Sequence, residues 1–220
     1  MKIPLPDSIL GPNTFADFEA SPGSSGADLL VYVGGAVSPS EYFARRESSP
    51  TALLTLLRPD GARHSALALS YSPSLPGRPE DAREAFLDHF HYEVLPALPI
   101  RPDRLAVIGF SLGAALAVLL ARANVRRVVR LATVGAVGAA EALSLESAPL
   151  GPLSCPVRVA WGTEDPCLPH SLRFVEALEV AGLRYDADTS PGGHAFPDYV
   201  ANGLLPAAVA FAAQGLSRSC

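Results

Sequence analysis

The feature that most constrains the fold of this chain is a serine between two glycines, flanked by two apolar runs. The pentapeptide Gly-Phe-Ser-Leu-Gly occupies residues 109–113 within the segment 104–122. Residues 105–108 form a short apolar run, which is typical of a strand buried on both faces. Residues 112–123 consist almost wholly of Ala, Leu and Val, which indicates a helix that is buried all round. A strand that turns directly into a buried helix predicts an α/β fold, with Ser111 at the turn.

The spacing of Gly109, Ser111 and Gly113 is the G-x-S-x-G motif. In a sharp strand-to-helix turn the central residue is strained and its side chain projects clear of the sheet, so the residues two positions away must be small. The Ser111 hydroxyl would then lie at a helix N-terminus, where free N–H groups and the helix dipole favour negative charge. The simpler alternative is a serine in an ordinary βα turn, because the pentapeptide alone occurs by chance. The strand before it and the helix after it favour a nucleophile.

Apolar segments alternate with helical ones along most of the chain. Six segments are predicted strands: 28–33, 65–71, 105–108, 127–134, 156–161 and 183–188. Helices are predicted over 79–95, 112–123, 171–181 and 199–213. This alternation favours a mostly parallel central sheet of about six to seven strands with helices on both faces. Residues 1–27 are rich in Pro, Gly, Ser and Asp and are predicted to be an irregular lead-in, followed by a single domain over 28–220.

Charge and hydropathy argue against several classes of partner. The chain has 220 residues and a formal net charge of −5, with no basic stripe to neutralise phosphates, so no nucleic-acid partner is expected. It has no long uncharged apolar run and no apolar segment near its N-terminus, so neither membrane insertion nor secretion is predicted.

Three cysteines without a C-x-x-C spacing favour a reducing compartment, and hence the cytoplasm. Cys155 and Cys167 are close enough in sequence to pair across a loop, and a homodimer is compatible with the composition.

A serine nucleophile needs a base to accept its proton, and the base needs a third group to hold its tautomer. The chain has five histidines. His194 lies in the glycine-rich segment 190–196 after the last predicted strand, from where it can reach Ser111. The others fall in a polar turn or in helices: His64, His89, His91 and His170. His194 is therefore the candidate base, the alternative being a histidine that only orders its loop.

The third group should be a carboxylate on a loop that follows a strand. Asp165 lies in such a segment, Gly-Thr-Glu-Asp-Pro over 162–166, where proline stiffens the loop. Its neighbour Glu164 competes for the role, while Asp186 and Asp188 are weaker candidates because they fall within a predicted strand. A simpler role for Asp165 is to stabilise the turn before the proline.

Ser111, Asp165 and His194 each follow a separate predicted strand, in the chain order serine, acid, histidine. In this order, and in the motifs Gly-Phe-Ser-Leu-Gly, Gly-Thr-Glu-Asp-Pro and Gly-Gly-His, the chain resembles the α/β-hydrolase superfamily from about residue 28 to its C-terminus. Its length is similar to that of the small, lidless carboxylesterases and dienelactone-hydrolase-like members. The resemblance implies a catalytic triad with Ser111 as nucleophile, Asp165 as acid and His194 as base. Some dienelactone hydrolases use a cysteine nucleophile, which the serine at position 111 excludes here.

The resemblance also implies an oxyanion hole made of two backbone N–H groups. One belongs to Leu112, the residue after the nucleophile, and the other to the loop after the strand that ends at Val33. That loop reads Val-Gly-Gly-Ala over 33–36 and is similar to the family's HGGG-type segment without its histidine. We expect the second donor at Gly35, with Ala36 as the alternative.

Larger members of the superfamily insert a helical cap after the strand that here ends at Val134. Only residues 135–155 separate that strand from the next one, so no large cap is expected. The site should therefore be open, which suits short or soluble acyl substrates.

These features predict a serine hydrolase of the carboxylesterase or thioesterase type, which cleaves small-molecule carboxylic esters or thioesters through an acyl-enzyme. A fold does not fix the chemistry, so two alternatives stay open. One is a C–C hydrolase, lyase or acyltransferase on the same scaffold, and the other is a non-catalytic, hydrolase-like binding protein. The chain has neither a G-x-G-x-x-G nor a P-loop motif, and its histidines lack zinc-binding spacings, so no cofactor and no metal are expected.

Overall fold

The computed structural model describes residues 2–3, 15–20, 28–35, 56–58, 62–70, 85–124, 126–146 and 150–217. Within them, eight strands form one sheet in the order β1-β2-β4-β3-β5-β6-β7-β8. The strands are β1 Lys2–Ile3, β2 Phe15–Glu19, β3 Asp28–Val33, β4 Ser65–Ser70, β5 Arg104–Phe110, β6 Val128–Val134, β7 Val157–Gly162 and β8 Tyr185–Ser190. The strands from β3 to β8 are the six predicted ones, and neighbours among them pair in parallel. The predicted α/β architecture with a mostly parallel sheet is therefore confirmed.

The prediction of an irregular lead-in over 1–27 is wrong for part of that segment. β2 pairs antiparallel with β4, from Phe15 opposite Ser70 to Glu19 opposite Ala66, and β1 pairs antiparallel with β2. The edge of β4 offers unpaired backbone N–H and C=O groups to the five residues of β2. Phe18 of β2 is buried in the core, with 1% of its surface exposed. The sheet is therefore continuous across residue 28 and has eight strands among the described residues instead of six or seven.

Alternate residues of the central strands point to opposite sides of the sheet. Leu29 and Val31 of β3 belong to one buried apolar cluster, whereas Leu30 and Tyr32 belong to a second. A strand buried on both faces needs apolar residues at every position, which is why the sequence shows runs here and no alternation. The sheet is thus the middle of three layers.

Helices cover both faces of the sheet. The helical segments are α1 over 85–97, α2 Gly113–Ala123, α3 Ala139–Ser144, α4 Leu168–Val180, α5 Phe196–Ala201 and α6 Leu204–Ser217. Buried apolar residues of α1 to α4 belong to the first cluster, and those of α5 and α6 belong to the second. The first part of the helix predicted over 79–95 lies outside the described residues, and Phe90–Val94 within α1 has π-helical hydrogen bonding.

The closing helix differs from the predicted 199–213, because it begins earlier and is divided in two. Gly203 has a φ of +83°, a conformation that glycine adopts without strain and that interrupts a helix. The Asn202 side chain then accepts a hydrogen bond from the Leu204 N–H at 3.1 Å and caps the start of α6. This break separates the short helix α5, which follows the His194 loop, from α6, which packs on the sheet.

The carboxyl ends of β5, β7 and β8 lie at the same edge of the sheet, because these strands are parallel. Between β6 and β7 the described residues contain one short helix, α3, and no large cap. None of the helices that the structure describes has the length and hydropathy of a transmembrane segment.

Candidate active site

Ser111 lies in a strained turn between the end of β5 and the start of α2. Its φ is +56°, and it is the sole residue other than glycine with a positive φ in the described part of the chain. Its N–H donates to the Val134 carbonyl of β6 at 3.0 Å, and its carbonyl accepts from the Val137 N–H at 3.1 Å. These bonds fix the backbone in a conformation that non-glycine residues seldom adopt, and the strain is typical of functional turns.

The two glycines of the motif are required by close backbone contacts. A Cβ at Gly113 would lie 2.2 Å from the Val33 carbonyl oxygen, and one at Gly109 would lie 2.5 Å from the Ala114 Cα. Both distances are far below van der Waals contact, so any side chain would push the helix from the strand. The predicted reason for small residues on either side of Ser111 is therefore confirmed.

His194 joins Ser111 to Asp165 by hydrogen bonds. Its Nε2 lies 2.8 Å from the Ser111 Oγ, and its Nδ1 lies 2.8 Å from Asp165 Oδ2 and 3.0 Å from Oδ1. Because a carboxylate can only accept, Nδ1 carries the proton and Nε2 is the acceptor for the serine hydroxyl. The Phe110 ring stacks on the imidazole, with centroids 5.6 Å apart and planes 22° apart, and so holds its orientation.

Asp165 lies on the loop between β7 and α4, and its side chain has no exposed surface. Its Oδ1 also accepts the Cys167 N–H at 2.6 Å, which fixes the carboxylate to its own turn. This loop is bonded to the one that carries His194, since the Glu164 N–H donates to the Gly192 carbonyl at 3.1 Å. The acid and the imidazole are therefore held relative to each other by backbone contacts as well as by their own bond.

The other carboxylates considered for the role of the acid do not contact His194. The backbone turn that buries Asp165 leaves Glu164 exposed, and Asp186 is exposed as well. Asp188 forms an ion pair with Arg158 at 2.8 Å. Of the carboxylates considered from the sequence, Asp165 is the one that contacts His194.

Tyr199, at the start of the closing helices, was not singled out from the sequence. It is fully buried, and its hydroxyl donates a short hydrogen bond to Asp165 Oδ2 while accepting the Gly162 N–H at 3.1 Å. The pKa of the Tyr199 phenol is raised, mainly by burial and to a smaller extent by the hydrogen bond to Asp165. No local pattern marks this role, because the tyrosine lies 34 positions along the chain from the carboxylate that it contacts.

Gly35 and Leu112 lie on either side of Ser111. Leu112 follows it directly, and a Cβ built at Gly35 would be 2.6 Å from the Ser111 Cβ and 3.2 Å from its Oγ. Gly35 is buried, and neither its N–H nor that of Leu112 donates to a backbone acceptor among the loops and turns that the structure describes. Gly35 is therefore close to Ser111 in space, as the expected oxyanion hole requires. The alternative donor, Ala36, lies outside the described residues.

Cys155 and Cys167 are both free thiols, so the pairing that the sequence left open between them is not formed. Cys155 packs against the first apolar cluster, and burial raises the pKa of its thiol to about 11. Cys167 lies beside the acid, and atoms of Asp165, Cys167 and His194 that could bind a metal lie within 4.8 Å of one another. A cation there would have to displace the proton that His194 Nδ1 donates to Asp165, so the donor set fits a hydrogen-bonded site better than a metal centre.

A sequence profile of one protein family matches a long, continuous part of the chain. It is that of the dienelactone hydrolase family, and it matches residues 77–214, more than half of the chain. This chain belongs to the dienelactone hydrolase family. Ser111, Asp165 and His194 all lie within the matched region. A search of curated proteins by sequence found no match.

Solved structures of esterases share the fold of this dienelactone hydrolase family member at low sequence identity. A ferulic acid esterase has a TM-score of 0.65 and 14% identity, with 93% of this chain and 94% of that one covered. An esterase from Pyrobaculum calidifontis has a TM-score of 0.64 and 16% identity, with 99% and 85% covered. S-formylglutathione hydrolase from Staphylococcus aureus has a TM-score of 0.64 and 12% identity, with 97% and 94% covered. At these identities the likeness shows the α/β-hydrolase fold.

Proposed function

We propose that this dienelactone hydrolase family member is a serine hydrolase, which cleaves carboxylic esters or thioesters of small, soluble acyl groups through an acyl-enzyme. The observation that carries the proposal is the continuous hydrogen-bond chain from the Ser111 Oγ through His194 to the buried Asp165 carboxylate. An imidazole that donates to a carboxylate and accepts from a serine hydroxyl is arranged to remove the serine proton.

The reaction would proceed in two half-reactions. Ser111 Oγ attacks the carbonyl carbon, its proton passes to His194 Nε2, and the carbonyl oxygen becomes an oxyanion. When the tetrahedral intermediate collapses, the bond to the alcohol or thiol breaks and the leaving group takes the proton from His194. Water then attacks the acyl-enzyme, with His194 as general base, and releases the carboxylic acid and free Ser111.

The oxyanion would be stabilised by the N–H groups of Leu112 and Gly35. Both belong to backbone segments fixed next to Ser111, so they need no rearrangement as the charge develops. The Asp165 carboxylate stabilises the imidazolium that forms at His194, and its burial strengthens that interaction.

The surroundings of the site favour short or soluble acyl groups. The described residues between β6 and β7 contain no more than the short helix α3, and Leu112 beside the nucleophile is 46% exposed. The structural neighbours include esterases and an S-formylglutathione hydrolase, which supports testing both ester and thioester substrates. The free thiols of Cys155 and Cys167 support a reducing location such as the cytoplasm.

Pre-steady-state hydrolysis of p-nitrophenyl acetate tests this function. We expect a burst of p-nitrophenol that is stoichiometric with the enzyme whenever deacylation is the slower step, followed by steady turnover to acetate. A parallel series of acyl esters and thioesters, with and without methanol as acceptor, separates hydrolysis from acyl transfer. Absence of turnover on every ester and thioester would contradict the proposal, and products formed only with methanol would indicate an acyltransferase.

Replacement of Gly35 by alanine should lower kcat on p-nitrophenyl acetate by about 10²-fold or more. The added methyl group would lie 2.6 Å from the Ser111 Cβ, so the loop must move away and take its N–H donor with it. Steady-state kinetics measures the effect, and Gly182→Ala, on an exposed turn with a φ of +67° and no atom within 4 Å of the added Cβ, controls for the backbone strain that a glycine replacement causes outside the site. Equal kcat values for Gly35→Ala and the wild type would show that this N–H does not contact the oxyanion.

A further inference from the structure

The carboxylate of Asp165 receives hydrogen bonds on both oxygens from groups other than the imidazole. Oδ1 accepts the Cys167 N–H, and Oδ2 accepts the Tyr199 hydroxyl. The first bond comes from the backbone of the acid's own turn, whereas the second comes from a helix that follows His194 in the chain. Tyr199 is therefore a side-chain contact that joins the acid to the segment carrying the base.

The direction of the Tyr199 hydroxyl is fixed by its other neighbours. The hydroxyl accepts the Gly162 N–H at 3.1 Å, so its single proton is directed to Asp165. The ring packs edge-on against Phe110, with centroids 5.6 Å apart, and has no exposed surface. Gly135, with a φ of +56°, makes room for the hydroxyl, because a Cβ at this position would lie 3.0 Å from the Tyr199 hydroxyl oxygen.

We propose that Tyr199 is a positioning residue that sets both the orientation and the basicity of Asp165, and through Asp165 the proton affinity of His194. The proposal rests on the hydrolase function proposed above. A hydrogen bond donated to a carboxylate stabilises its ionised form, so Tyr199 makes Asp165 a weaker base. A weaker base leaves the Nδ1 proton on the imidazole and limits how strongly the carboxylate stabilises the imidazolium form.

The phenol suits this role because it remains a donor over the working pH range. Burial and the bond to Asp165 raise the pKa of Tyr199, so the hydroxyl stays protonated wherever a neutral His194 acts as base. Two other titratable groups lie in this region: the Cys167 thiol, whose sulfur is within 4.8 Å of ligand atoms of Asp165 and His194, and Asp198, whose Oδ2 lies 3.4 Å from a Cβ built at Gly193. Both are unchanged in a tyrosine variant, so a comparison with the wild type reports on the hydroxyl.

Tyr199→Phe tests the proposal, with Tyr185→Phe as the matched control. The control removes a hydroxyl that also donates to a carboxylate, that of Glu179 at 2.7 Å, but on an exposed surface. In Tyr199→Phe we expect kcat to fall about tenfold with little change in KM, because the Asp165 carboxylate loses one of the two contacts that orient it toward His194. We also expect the acid limb of the kcat/KM profile to move to higher pH, because a more basic Asp165 stabilises the protonated form of His194.

A purely structural role would lower the thermal midpoint without moving the acid limb, and that outcome would overturn the proposal. If Tyr199→Phe does not fold, 3-fluorotyrosine can replace the six tyrosines of the chain. The fluorinated phenol is a stronger donor, so the acid limb should move to lower pH, and an unchanged limb would overturn the proposal as well.

Proton NMR separates this proposal from the proposed function. The His194 Nδ1 proton, assigned by its loss in Asp165→Asn, should give a downfield signal that shifts in Tyr199→Phe and not in Tyr185→Phe. This signal does not depend on turnover, so it tests the Tyr199 contact even if no ester is hydrolysed. An identical chemical shift in wild type and Tyr199→Phe would contradict the proposal, whereas a wild type without esterase activity would contradict the function alone.

Discussion

Replacing Ser111 by alanine should lower kcat by on the order of 10⁵-fold or more while the fold is retained. The substitution removes the oxygen that lies 2.8 Å from His194 Nε2 but keeps the Cβ, so the strain of the +56° φ is the same in both proteins. Steady-state hydrolysis of p-nitrophenyl acetate and circular dichroism measure the two expectations. The remaining rate should come from the oxyanion donors and from substrate binding.

Ser144→Ala is the matched control for this loss. It removes a hydroxyl that donates to the Ala140 carbonyl at 3.0 Å on an exposed helix, and we expect the wild-type rate. A Ser111→Ala protein that is folded and keeps more than a few per cent of the wild-type kcat would exclude Ser111 as the nucleophile.

Replacing Asp165 by asparagine should lower kcat by about 10⁴-fold, with the site otherwise intact. The asparagine amide can turn its NH₂ group toward His194 Nδ1, which then has to accept, so that Nε2 carries the proton and cannot take one from Ser111. The buried side chain also loses the charge that stabilises the imidazolium. Kinetics on p-nitrophenyl acetate at several pH values measures this effect.

Glu164→Gln is the control, because Glu164 is the neighbouring carboxylate that the sequence alone could not exclude as the acid of the triad. Its side chain is exposed and makes no contact with His194 in the described structure, so we expect kcat within about twofold of the wild type. A large loss in Glu164→Gln together with a small one in Asp165→Asn would reverse the assignment of the acid.

The parts of the fold that could be predicted from the sequence are those that depend on local residue patterns. The run 105–108 and the helix formers after Ser111 predicted β5 and α2, and the same reasoning located the five other parallel strands within two residues. Parallel strands bring their carboxyl ends to one edge, so the loops that carry Ser111, Asp165 and His194 could be expected to meet. The hydrogen-bond distances in the structure are consistent with that expectation.

The parts that could not be predicted depend on contacts between distant segments. β2 is a strand because the edge of β4 is available to it, and five residues with Phe18 inward do not indicate this on their own. Tyr199 is one of several aromatic residues near the C-terminus, and its contact with Asp165 follows from how α5 packs beneath the His194 loop. Local composition carries no information about such packing.

Covalent labelling with a fluorophosphonate probe, followed by peptide mapping, is the most direct test of the central claim that Ser111 is an activated nucleophile. We predict one adduct per chain, located on Ser111, and its loss in Ser111→Ala. Labelling should also slow strongly in His194→Ala, because the hydroxyl then has no base. An enzyme that hydrolyses esters while Ser111 stays unlabelled, or that is labelled at another residue, would contradict the account.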